Sequence, residues 1–152
     1  MSRIMSIDYG DARVGIALSD PLQMISSGFT TLKNDNMLLD NIKLICQSKN
    51  VESIVIGIPF NQDSDIGYSA KKVLLFVKSL KEYLLTKKIK ITIYEQDERY
   101  STHEAINIMR ELKVKRKKKK NIVDQIAAER ILSSFMNSKN KIKLEIERYL
   151  NL

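Results

Sequence analysis

Residues 3–19 read RIMSIDYGDARVGIALS. Two short runs rich in β-forming side chains, 3–9 and 13–19, are joined by Tyr9-Gly10-Asp11-Ala12, where Gly10 relaxes the turn. The pair predicts a β-hairpin. A third run, Gly28 to Leu32, extends it to an antiparallel meander. Such an opening excludes a Rossmann fold, which alternates strand and helix from its first strand. Asp8-Tyr9-Gly10-Asp11 is also no G-x-G-x-x-G.

Beyond the meander the period changes. Leu38, Leu39, Ile42, Ile45 and Cys46 recur at helical spacing. Ser53 to Pro59 is a nearly continuous apolar run, as expected of a strand buried on both faces, and Pro59 ends it. A second helix follows, with Ala70, Val73, Leu74, Val77, Leu80 and Leu84 on one face, and then a strand from Lys88 to Glu95 alternating Ile89, Ile91 and Ile93. Ser101 to Glu104 fits a capping box, and Ala105, Ile108, Met109 and Leu112 stripe the helix after it. The lysine run at 115–120 breaks the pattern, which resumes near Ile122. Residues 141–150 predict a short amphipathic helix using Ile142, Ile146 and Tyr149. The order β-β-β-α-β-α-β-α-α is the ribonuclease H-like arrangement, an α/β fold with a five-stranded mixed sheet and helices on both faces. We expect one domain over 1–138, with 139–152 as its C-terminal amphipathic helical tail.

Composition narrows the chemistry. The 152 residues hold 26 Lys+Arg against 18 Asp+Glu, a net charge of +8. Seven of the cations lie in KVKRKKKK (113–120), so the other 144 positions carry +1. The basic charge is a local device that would attract a phosphate backbone. One domain of this length leaves no room for a second lobe to close over a nucleotide, which counts against an actin-like ATPase despite Asp8-Tyr9-Gly10. One cysteine, Cys46, and one histidine, His103, remove disulfide frameworks, zinc clusters and the Ser-His-Asp triad. Carboxylates, hydroxyls, amines or a hard metal are left. The N-terminus has no signal-like apolar stretch, and the longest apolar run, Val73 to Val77, is far below a membrane span, so we expect a soluble cytoplasmic protein with no membrane partner.

Three acidic positions stand out. Asp8 ends an apolar strand, where a carboxylate costs burial energy unless it is hydrogen-bonded or holds a cation. Asp97-Glu98-Arg99 closes the strand that runs from Lys88. Asp124 heads the stripe Ala128, Ile131 and Phe135 that must press on the sheet. Singly, each has a structural explanation: a hairpin cap, a salt-bridged turn, a helix N-terminal acid on the macrodipole. Jointly, the fold makes the first and fourth strands central neighbours with the Asp124 helix over their ends, so the carboxylates converge. Their repulsion would raise their pKa values unless a cation neutralised them. Oxygen donors without histidine select Mg²⁺ or Mn²⁺ and suit two-metal phosphodiester cleavage. Arg13 and Arg99 could orient a phosphate in bidentate fashion, or serve as structural ion pairs. Lys115, Arg116, Lys117, Lys118, Lys119 and Lys120 are the expected nucleic-acid contacts.

Four segments carry a family resemblance: DYGDARVGIALSD (8–20), IVIGIPFNQDSDIG (54–67), DERYSTHEA (97–105) and KKNIVDQIAAERIL (119–132). In this order they resemble the motifs of the YqgF/RuvX family, the ribonuclease H-like group related to Holliday junction resolvases, over nearly the whole chain to about residue 138. The resemblance implies endonucleolytic processing of the 5′ end of the small-subunit rRNA precursor, and junction-resolving activity on branched DNA in some members. By motif, Asp8, the acid in Asp97-Glu98 and Asp124 would be the catalytic, metal-binding set. Glu98 is preferred, because strand alternation puts Asp97 on the face of Ile91 and Ile93, but a kink at the strand end would reverse that parity. Asn61 to Asp65 depart from the family's Gly- and Met-bearing turn. A non-catalytic RNA-binding assembly factor is the rival reading. Trimming needs only a monomer, whereas junction resolution needs a homodimer to cut two strands.

Overall fold

The computed structural model describes residues 2–63, 65–98 and 116–150, with backbone only for 116–120. The hairpin forms where the sequence predicts it: β1 (Arg3–Tyr9) and β2 (Arg13–Ser19) pair antiparallel, with Asp8 opposite Gly15. β3 (Ser26–Lys33) completes the meander. After α1 (Leu38–Ser48), β4 (Val51–Ile58) returns parallel to β1. α2 (Tyr68–Thr86) then leads to β5 (Thr92–Asp97), parallel to β4. α3 (Arg116–Asn137) precedes β6 (Ile142–Lys143), antiparallel to β5, and a 3₁₀ turn over Ile146–Arg148. The sheet order is β3-β2-β1-β4-β5-β6, so β1 and β4 are central.

Period-two alternation sorts the strand residues between two cores. Met5, Ile7, Ile54, Ile56, Ile58 and Ile93 face α1 and α2, where they meet Ile42, Leu74 and Leu80. Ile4, Ala17 and Val55 face α3 and meet Ala128, Ile131, Leu132 and Phe135. Helices therefore cover both faces, as expected. The predicted stripe from Asp124 through Phe135 is the face that α3 lays on the sheet.

Four expectations need correction. The sheet has six strands, not five. β5 begins at Thr92, not Lys88: Lys88 adopts a left-handed φ of 58° at the end of α2, and the pairing with β4 starts at Ser53–Thr92. Ile89 and Ile91 keep the alternating pattern because they pack against the α2 core. The tail is not an amphipathic helix. Leu144 and Ile146 are its buried residues, the Leu144 N–H donates to Ile93 O at 2.9 Å, and β6 caps an otherwise open β5 edge. Finally, the backbone is already helical from Arg116, ahead of Ile122 where the pattern resumes, so Asp124 lies two turns inside α3 and not in its first turn. The expected helix at 101–112 lies outside the described residues.

Candidate active site

Asp8 shares its strand face with Ile4 and Ser6, toward α3, and the Ser6 hydroxyl donates to the Ala128 carbonyl. The helix reaches the sheet so closely because small residues lie under it. A Cβ added to Gly15 would sit 2.1 Å from the Asp124 carbonyl oxygen. Gly15 is the register partner of Asp8, so this one close approach brings Asp124 to Asp8. A glycine inside a strand is the sequence signal for such contact.

The electrostatics follow from that placement. Burial pushes the Asp8 carboxyl up to about 6, and the nearby Asp124 charge pushes in the same direction. Asp124 is also raised by burial, against the pull of the Arg13 guanidinium. Arg13, the first residue of β2, donates from Nε to Asp124 Oδ2 at 2.9 Å. Sequence reasoning placed Arg13 near the site as a phosphate ligand or a structural ion pair; in this structure it makes the ion pair.

Glu98 follows β5 and its N–H donates to Ile58 O at 3.0 Å. A Cβ on Gly57 would meet Glu98 Cγ at 2.5 Å and Ile131 Cδ1 at 2.6 Å, which puts the Glu98 side chain on the α3 face. Asp97 pairs in register with Ile58, whose side chain belongs to the opposite core, and it lines an edge cavity with Phe60, Glu95 and Tyr149. Asp8, Glu98 and Asp124 therefore share one face at the C-terminal ends of the parallel strands, and Asp97 does not join them. Among the described residues, no three His, Cys, Asp or Glu side chains stand close enough to enclose a metal ion. The donor chemistry suits a hard divalent cation, since every candidate ligand is a carboxylate and the Asp8–Asp124 repulsion is what a cation would relieve.

Arg99 and Lys115 lie outside the described residues. The backbone at Arg116, Lys117, Lys118, Lys119 and Lys120 forms the first turns of α3, on the same helix as Asp124. Two features escaped sequence reasoning. Buried Glu95 accepts from the Tyr149 hydroxyl and lies 3.4 Å from Arg148, and Asp11 holds Lys72 through two bonds of 3.0 Å. Each joins residues more than 50 positions apart, beyond the reach of any local pattern.

A family model described as RuvX, Holliday junction resolvase, matches residues 2–138. The chain belongs to the YqgF/RuvX family. A curated relative from Clostridium acetobutylicum, named "Putative pre-16S rRNA nuclease", is 38% identical over 138 residues, covering 90% of this chain and 98% of its own. One of the same name from Clostridium botulinum is 40% identical over 141 residues, covering 91% and 99%. Among solved structures, Thermus thermophilus RuvC in complex with a Holliday junction substrate aligns with TM-score 0.57 and 11% identity, over 95% of this chain and all of that one. RuvC from the same organism aligns in a second structure with TM-score 0.55 and 10% identity, over 93% and 99%. The RuvX chain therefore has the ribonuclease H-like fold of RuvC. Among its described residues no helix is long and apolar enough to cross a membrane.

Proposed function

We propose that this RuvX chain is a divalent-metal-dependent endonuclease that hydrolyses phosphodiester bonds in structured nucleic acid, with the 5′ end of cytoplasmic pre-16S rRNA as its substrate. The observation that carries the reading is the placement of Asp8, Glu98 and Asp124 on one face at the C-terminal ends of β1 and β5, with Asp8 and Asp124 close enough to repel. Relatives named "Putative pre-16S rRNA nuclease" support the pre-16S rRNA part of this reading, and the 5′ end comes from the family resemblance of the sequence motifs.

Asp8, Glu98 and Asp124 would hold the Mg²⁺ or Mn²⁺. Metal bound there supplies a water of lowered pKa and neutralises charge building at the phosphorus. The protein's own part is to orient and to bind. Glu98 is fixed over Gly57 by its backbone bond to Ile58, and Asp124 by the helix contact at Gly15. Arg13, already in the site, can exchange Asp124 for a phosphate oxygen with little movement. Lys115 to Lys120 hold the backbone of the nucleic acid by charge. In the hydrolysis, water adds to phosphorus, the P–O3′ bond breaks, and the products are a 5′-phosphate and a 3′-hydroxyl.

The test is cleavage of a precursor transcript in Mg²⁺. Asp8→Asn, Glu98→Gln and Asp124→Asn each lose at least about 10²-fold in rate, whereas Asp97→Asn stays within about threefold of wild type. Equal, metal-independent rates in all of them would sink the mechanism. Cleavage of four-way DNA junctions in preference to RNA would replace the substrate and keep the chemistry.

A further inference from the structure

Tyr68 opens α2 at the C-terminal end of β4, the end of the sheet that carries Asp8. It is 75% exposed, high for so large an aromatic side chain. It is also held in place. The Lys72 ammonium sits 4.3 Å from the centroid of its ring, and that ammonium donates to both oxygens of Asp11 at 3.0 Å each. Asp11 lies in the β1–β2 turn, three residues from Asp8 and two from Arg13. One hairpin therefore carries a residue of the acidic site and the anchor of an exposed aromatic ring. Lys72 covers one ring face, and the high exposure leaves the other to solvent.

We infer that the Tyr68 ring is a stacking platform for an unpaired nucleobase of the strand bound at the acidic site. This rests on the nucleic-acid reading above and adds a contact on the α2 side of the sheet, opposite to α3. An aromatic face takes any base, because every base has a π-face. Charge does not supply the attraction here: Asp11 neutralises Lys72, and Asp63 and Asp65 precede the ring in the chain, so a phosphate meets little net positive charge. The flat ring, polarised by the cation beneath it and ordered before binding, is what remains to bind with. The platform thus favours substrates with a single-stranded segment beside the scissile bond over continuous duplex.

The sequence contains no tryptophan, so Tyr68→Trp introduces a single indole fluorophore. The measurement is made on full-length protein carrying Asp8→Asn, without divalent metal, so that no cleavage intervenes. Addition of a short single-stranded RNA quenches the indole, and an abasic ribose-phosphate strand of the same length does not. Tyr68→Ala weakens single-stranded RNA binding about 5- to 100-fold, Tyr68→Phe restores it, and duplex binding changes less than twofold. The Tyr68 loss is the same at low and high salt. Equal quenching by abasic and base-bearing strands overturns the inference, as does single-stranded binding unchanged in Tyr68→Ala. Because binding is read without catalysis, base-dependent quenching leaves the platform standing even if protein with Asp8 intact proves not to cleave, and cleavage by that protein with single-stranded binding undiminished in Tyr68→Ala removes only the platform.

Discussion

Asp8 costs the folded protein stability when it is ionised. Its carboxyl has an ordinary pKa of 3.8 and is pushed up to about 6 in the fold, first by burial and then by Asp124. The folded state therefore binds this proton more tightly than the unfolded chain does. The contribution of protonated Asp8 is fully present below about pH 4 and is lost as pH rises through about 6. At pH 8 the ionised group costs about 3 kcal/mol relative to its neutral form, at 1.36 kcal/mol for each pKa unit. Asn keeps the shape without the charge. In metal-free protein, Asp8→Asn is expected to raise unfolding stability by about 3 kcal/mol at pH 8 and by nearly nothing at pH 4, as read by urea denaturation at both pH values. Addition of Mg²⁺ should close the gap from the wild-type side. A variant no more stable than wild type at pH 8 would show that solvent or another group already relieves Asp8. Asp8 and Asp124 were legible in the sequence because an acid at the end of an apolar strand, or heading an apolar helix face, breaks a hydrophobic pattern. The Arg13–Asp124 pair was not, since nothing local links positions 111 apart.

Elements were legible where one force dominated. β1, β2 and β4 are apolar runs with a single use, and they appear where alternation or continuity puts them. β5 was read four residues too early, because Ile89 and Ile91 extend the alternation while serving the packing at the end of α2. The tail was misread because Ile142, Ile146 and Tyr149 have helical spacing, whereas the deciding need was the open edge of β5. Ile146 is buried as that spacing required, but Ile142 is half exposed and Leu144, off the stripe, is buried. The lysine run was read as a break because it lacks apolar residues, but Lys and Arg are good helix formers and α3 needs no stripe before it reaches the sheet. The tail's actual role gives a clear test. Leu144→Ala removes a fully buried side chain and is expected to cost about 2–3 kcal/mol, while Ile142→Ala costs less than about 1 kcal/mol. Thermal or urea unfolding of the two variants checks the order. If the tail were an amphipathic helix seated on Ile142, the order would reverse.

At the scale of the molecule, charge and chemistry occupy the same helix. α3 begins in the basic run and, two turns on, carries Asp124 against Gly15. The basic run is thus covalently tied to a carboxylate of the candidate site, while the rest of the chain is nearly neutral. On the nuclease reading proposed above, this arrangement separates binding from turnover. Each phosphate contact releases condensed counterions, so log K falls against log salt by about 0.9 for each contact on duplex and about 0.7 on single strands. Changing Lys117, Lys118, Lys119 and Lys120 together to Gln removes up to four contacts and should make the salt slope shallower by about 3. Helix propensity is nearly unchanged by that substitution, so α3 still delivers Asp124 to Asp8. The rate at saturating substrate should accordingly stay within about threefold of wild type, with the whole loss in KM at moderate salt. Lysine offers a point charge without a fork, so the loss should be similar for RNAs of different sequence. An unchanged salt slope would mean that the run is simply solvated, and a fall in saturated rate equal to the fall in affinity would mean that it helps to place the scissile phosphate as well as to attract it.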